Sequence, residues 1–224
     1  MAGASNTFEG GTNAVTITTA NSGGLSGAAF SAVSNVTYTT ERAAHGSLAG
    51  RIAPLETGTV EHALSGSGIR YARVYAYWTA FFQPLELRLT NSGNWYLVDI
   101  TDTTVSLSAT VNGSPNTLAQ QTTSLINQWV RIELQGTSAA GGQAEARFYA
   151  ADSQTALFTL SGSAARTADT WSAVAYGGQN LAESAAYIDD VGWSDVDWLG
   201  SAVPARVPVP VPVTPQAIQR ASRW

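Results

Sequence analysis

Apolar positions along this chain recur every second residue, over short stretches, and between stretches they give way to Gly, Asn, Asp and Ser. Residues 85–90 set Leu85, Leu87 and Leu89 on one face and Glu86, Arg88 and Thr90 on the other. Asn91-Ser92-Gly93-Asn94 reads as a turn and residues 95–100 as the returning strand, the clearest hairpin in the sequence. Residues 15–19 alternate. So do Val105, Leu107, Ala109 and Val111, a strand that Asn112-Gly113-Ser114-Pro115 should stop. Val130, Ile132 and Leu134 alternate with Arg131 and Glu133. Residues 144–150 and 156–160 flank a turn at Asp152-Ser153-Gln154, and residues 187–191 form the last clear strand.

Residues 69–78 predict a long aromatic strand. Ala72, Val74, Ala76 and Trp78 make its core face, whereas Tyr71, Arg73, Tyr75 and Tyr77 make a face suited to a glycan or a neighbouring subunit. No stretch carries an apolar 3.6-residue period with cap and stop. Many short strands with Gly and Asn turns imply an all-β domain, a sandwich or jelly roll of antiparallel sheets over residues 1–200.

The pattern changes after residue 200. Residues 203–215 are rich in valine and proline, alternating strictly over 207–213, and proline lacks an N–H donor and cannot enter a sheet interior. An extended polyproline-type arm is expected over 201–224, reaching about 30 Å across its Val-Pro stretch at ~3.1 Å per residue. Its candidate docking residues are Arg206, Val207, Pro208, Val209, Pro210, Val211 and Pro212, with Ile218, Arg220, Arg223 and the terminal Trp224.

Charge sharpens the division. All basic residues are arginine; residues 1–200 hold eight of them against sixteen acids, whereas the arm holds three and no acid. An acidic body argues against nucleic-acid binding, and a basic arm suits an acidic partner surface. The absence of cysteine excludes disulfides and thiol chemistry. No apolar run approaches the ~20 residues that span a bilayer, and the N-terminus lacks the features of a secretory signal, so synthesis in the cytoplasm without a signal peptide is expected.

Candidate chemistry is sparse. Asp189 and Asp190 are adjacent and should point to opposite faces of a strand. Asp190, Asp195 and Asp197, with Glu9 from the first strand, are oxygen ligands of the kind Ca²⁺ takes, and no other cofactor is implied. His45 and His62, the two imidazoles, lie in no nucleophile-elbow context and read as loop or hydrogen-bonded histidines.

Several segments together resemble the concanavalin A-like, laminin-G-like jelly roll: residues 6–13, 21–30 and 43–48, then Gln128-Trp129-Val130-Arg131-Ile132-Glu133-Leu134 and Tyr187-Ile188-Asp189-Asp190-Val191-Gly192-Trp193-Ser194-Asp195. Laminarinase-type enzymes on that fold carry a Glu-x-Asp-x-x-Glu strand, which is missing here. The Lys-free, Ala/Thr-rich composition is similar to laminin-G-like proteins of tailed phages of actinobacteria. That resemblance implies a non-enzymatic virion protein, a minor tail or capsid decoration component. It would be attached to other virion proteins by its arm and homo-oligomeric in the particle, with neither nucleic acid nor membrane as partner. A carbohydrate-binding module for host surface glycan is the alternative, and a glycan hydrolase or lyase a third reading.

Overall fold

A computed structural model describes residues 2–90 and 93–202. The docking residues expected between Arg206 and Trp224 lie outside the described residues, as do Asn91 and Ser92 of the hairpin turn. Among the described residues there is no helix, and fifteen strands form two antiparallel sheets packed face to face.

One sheet contains β3 (Val36–Thr39), β4 (Ala49–Ile52), β6 (Ile69–Tyr77), β11 (Val130–Thr137), β12 (Gln143–Ala150), β13 (Phe158–Ser163) and β15 (Ala186–Ser194), with β1 (Gly3–Asn6) on the edge of β15. The other runs in the order β10 (Ser114–Thr122), β9 (Thr104–Val111), β8 (Trp95–Ile100), β7 (Phe82–Leu89), β14 (Trp171–Gln179), β5 (Thr57–Ala63) and β2 (Ala32–Ser34). The protein is a jelly-roll sandwich of the lectin-like kind.

Between the sheets lies one apolar core. Val74, Ala76, Val130, Ile132 and Leu134 contribute from the first sheet, and Leu85, Leu87, Tyr96, Val98 and Leu107 from the second. Each comes from the alternating positions that the sequence pattern marks, because removing those side chains from water is the main force holding the layers together. Trp78 and Trp171 are the largest buried side chains, and the Trp171 indole donates to the Gly68 carbonyl at 2.8 Å.

Three differences from the sequence pattern stand out. Residues 15–19 form only a single bridge, Thr16 to Thr37. The strand ends at Val111 as the sequence predicts, but the turn is Asn112-Gly113 alone, both at positive φ, and Ser114 and Pro115 already open β10, an exposed polar edge strand beside β9. A central strand, β14, is built from Trp171-Ser172-Ala173-Val174-Ala175-Tyr176-Gly177-Gly178-Gln179, too rich in Ala and Gly to stand out as a strand. Gly177, at φ 81°, lets β14 lie close against β5; a Cβ there would come within 2.6 Å of the Gly58 carbonyl oxygen.

Candidate functional site

The two outward faces differ in what covers them. On the eight-stranded sheet, Tyr71, Arg73, Tyr75 and Tyr77 do share the outer face of β6, opposite the core row of Ala72, Val74 and Ala76. They are roofed over. Trp198 packs edge-on to Tyr71 at 5.3 Å between ring centroids, and the Arg147 guanidinium lies 3.9 Å from the Trp198 ring. Arg73 donates to the Gly200 carbonyl at 3.0 Å, and the Ala202 N–H donates to the Tyr75 hydroxyl at 3.1 Å. Tyr77 packs against Trp129 and Tyr187, and Arg42 covers its ring at 4.2 Å. Residues 198–202 thus form a strap across this face, over the buried pair Arg131 and Glu133, 3.1 Å apart and only 2% and 1% exposed.

His45 anchors the margin of that strap. β15 pairs with β4 through residues 186–188 and with β1 through residues 191–194. Asp189 and Asp190 fall between these pairings, where a bulge against β6 inserts one extra residue and Asp190 takes φ 43°. The two carboxylates therefore do not point to opposite faces as strand alternation requires; both converge on the 44–45 turn. Asp189 accepts from the Ala44 and His45 backbone N–H groups at 2.8 and 3.2 Å, and Asp190 bonds the His45 Nδ1. On its other side His45 Nε2 meets Asp152 at 3.0 Å, and Asp152 accepts from both the Tyr75 and Ser201 hydroxyls at 2.8 Å. Burial disfavours the imidazolium, but the bonds and charges of Asp152 and Asp190 outweigh it and raise the His45 pKa. Burial and the neighbouring Asp190 charge push Asp189 up to about 8, against the pull of backbone N–H donors.

The aspartates expected to share a calcium ion are engaged separately. Asp190 holds His45, Asp195 accepts from the Ala2 N–H at 2.8 Å, and Asp197 accepts from the Trp198 N–H at 2.8 Å. Glu9 instead fixes the 47–48 turn, accepting from the Ser47 and Leu48 N–H groups at 2.8 Å each. Among the described residues no cluster of three acidic or histidine side chains is arranged to hold a metal.

The eight-stranded sheet keeps a groove of about 390 Å³ beside Gln135, Glu145 and Ser161. The outer face of the seven-stranded sheet carries a larger one. It curls into a groove of about 470 Å³ lined by Gln83, Glu86, Trp95, Leu97, Asp99, Ser108, Thr110 and Asn116. The curvature shows in the burial: Ser108 and Thr110 point away from the core, yet are only 7% and 3% exposed. Strand register organises the floor. One row across the sheet reads Glu61, Ala175, Glu86, Leu97, Ser108 and Thr117. The next reads Ala63, Ala173, Arg88, Trp95, Thr110 and Pro115. Arg88 joins the two rows, bonding Glu86 through Nε at 2.6 Å and Glu61 through Nη1. Gln83 donates to Asp99 at 2.8 Å. Burial raises the Glu86 pKa; Arg88 opposes this, and Glu61 and Asp99 reinforce it. Glu86 is therefore a carboxyl that holds its proton to higher pH than an ordinary glutamate, beside a guanidinium, on the floor of the groove.

Sequence reasoning recognised Glu86 and Arg88 as the outward side of a strand and gave them no role. The acids it weighed as a pair were neighbours in sequence, whereas Glu61 and Glu86 are brought together by pairing through β14, the strand whose composition conceals it. The usable signal was the polar side of the 85–100 hairpin, where Glu86, Arg88, Trp95 and Asp99 fall on alternate positions.

No protein-family model and no curated protein sequence matches the chain. Solved structures do share its fold. Alginate lyase Aly36B aligns with a TM-score of 0.60 at 8% identity, over 88% of this chain and 98% of its own. The endo-β-1,4-glucuronan lyase of the fungus Trichoderma reesei aligns at 0.52 and 12% identity, over 74% and 90%. The exoplasmic/lumenal domain of VIP36 in its Ca²⁺/Man2-bound form aligns at 0.52 and 11% identity, over 84% and 89%. The fold is thus that of carbohydrate-binding and lyase domains. The expectation of a non-enzymatic body does not stand. It rested on a bare scaffold and a missing carboxylate pair, but two lyases are built on this sandwich, and register supplies a pair of carboxylates in the open groove.

Proposed function

We propose that the protein binds a polysaccharide chain along the groove of the seven-stranded sheet. The observation that carries this reading is the placement of Trp95, a partly exposed indole on the floor of an open cleft, in one row with Arg88 and flanked by Gln83, Asp99, Ser108, Thr110 and Asn116. A flat aromatic surface bordered by fixed donors and acceptors suits a sugar ring, which presents C–H groups on its face and hydroxyls at its edge. The neighbours of the fold support it, since they include proteins named for glucuronan, alginate and bound mannose. The test is retardation of the full chain in gels containing soluble polysaccharides, alongside Trp95→Ala. Retardation lost in the variant is expected; equal migration of both proteins through every polymer sinks the reading. The same incubations, followed by ultraviolet absorbance for unsaturated chain ends and by reducing-end assay, read out cleavage.

Glycan binding takes the place of the virion structural role that the sequence resemblance implied, for which the neighbours of the fold give no support. The basic Val/Pro-rich arm expected over 201–224 is proposed, beyond Ser201 and Ala202, which bond Tyr75, as a tether to an acidic partner surface. Its removal should leave glycan retention unchanged while abolishing attachment to whatever assembly carries the protein, and retained attachment would refute the tether.

A further inference from the structure

We infer that the groove selects neutral polysaccharides and rejects uronate polymers. The inference deepens the glycan-binding reading and rests on it. Three carboxylates, Glu61, Glu86 and Asp99, face this cleft or its margin, and Arg88 is the one cation on the strands of the seven-stranded sheet among the described residues. Arg88 is already committed: its Nε is held by Glu86 and its Nη1 by Glu61. The one guanidinium on these strands is therefore already outnumbered by the two carboxylates it bridges.

A uronate chain laid over Trp95 would bring a negative charge with each residue toward Asp99 on one side and the Glu86–Arg88–Glu61 triad on the other. Like charges at contact distance in a partly desolvated cleft repel, and Arg88, one positive charge already shared by two carboxylates, cannot neutralise a third. A neutral chain meets the opposite situation. Its hydroxyls can donate to the free oxygens of Asp99 and Glu61 and exchange hydrogen bonds with Ser108, Thr110 and Asn116, at no charge cost. The lyases that share the fold are named for uronate polymers, so the inference separates this groove from theirs in substrate charge despite the common scaffold.

The experiment is affinity electrophoresis of the full chain against neutral β-glucan and mannan and against alginate and polyglucuronate. At low salt, neutral chains should bind at least ~10-fold tighter than uronate chains. That ratio should shrink in about 0.5 M salt, where charges are screened beyond a few ångströms. It should also shrink in Asp99→Asn, which retains an oxygen for Gln83 and removes one charge. Uronate polymers bound as tightly as neutral ones, with retention lost in Trp95→Ala, would overturn the selectivity while leaving the groove as the glycan site. No polymer retained, or retention indifferent to Trp95→Ala, would overturn the groove reading beneath it.

Discussion

Glu61 and Glu86 stand in one row of the seven-stranded sheet with only the methyl group of Ala175 between them, and Arg88 bridges both. The small residue matters as much as the charges. A larger side chain at position 175 would fill the space above the sheet where the two carboxylates and the guanidinium meet. Ala175→Leu is expected to separate the triad and to reduce glycan retention at least as far as Trp95→Ala does. Affinity electrophoresis checks the retention, and a circular dichroism spectrum confirms that the sandwich is intact.

Trp95 lies outside the apolar core, on the groove side of β8. Trp95→Ala should therefore lower glycan affinity by about 10-fold or more, as expected for an aromatic anchor, while costing far less stability than removal of a core aromatic. Trp171→Ala, which empties a buried site and removes a hydrogen bond to Gly68, should cost about 3–5 kcal/mol. A chemical denaturation curve for each variant distinguishes the two roles.

Stability should fall as pH rises from the mildly acidic to the mildly alkaline range. The folded-state pKa values of His45 and Asp189 are both raised, Asp189 to about 8. A group with a raised folded-state pKa binds its proton more tightly in the native state. Its stabilisation is complete below the unfolded-state pKa and disappears as pH passes the folded-state value. The windows run from about 4 to about 8 for Asp189 and upward from about 6.5 for His45. Thermal melts across this range should show a declining Tm, and a flat or rising profile would contradict the geometry of the 44–45 turn.

Arg131 and Glu133 form an ion pair removed from solvent on the outer side of the eight-stranded sheet. Arg131→Met removes the guanidinium paired with Glu133, leaving it only Arg73 and Arg147 as counter-charges, and strips the Ala151 and Ser153 carbonyls of their donor; it should cost about 3–5 kcal/mol. Replacing both residues with apolar ones should restore part of that loss, because the desolvation of both charges disappears while the two carbonyls stay without their donor. Denaturant midpoints of the single and double variants measure the difference.

Asp152 holds the strap. It accepts from Tyr75 and Ser201 and meets His45, and each of these bonds joins residues distant in sequence. Asp152→Ala should loosen the strap at residues 201–202 without unfolding the sheet, while Trp198 and Gly200 stay held by Tyr71, Arg147 and Arg73. The expected readout is faster hydrogen exchange at the Ala202 amide, whose acceptor is the Tyr75 hydroxyl, with core strands unchanged.

The sequence by itself determined the class of fold and the inward face of most long strands. Leu85, Leu87 and Leu89, or Val130, Ile132 and Leu134, alternate at the strand period, and only burial on one side of a sheet accounts for such alternation. It also separated the acidic body from the basic Val/Pro-rich arm. Tertiary structure alone decided what covers the aromatic face of β6. Tyr71, Arg73, Tyr75 and Tyr77 share a face as their spacing requires, but residues from 42, 152 and 198–202 cover it, and no local pattern encodes what will cross a strand. It also decided which charges meet. A bulge turned Asp189 and Asp190 toward one turn against the rule of alternation, and the register of β5, β14 and β7 placed Glu61 beside Glu86. Pairing between strands distant in the chain sets those neighbours, and periodicity within any single strand carries no record of it.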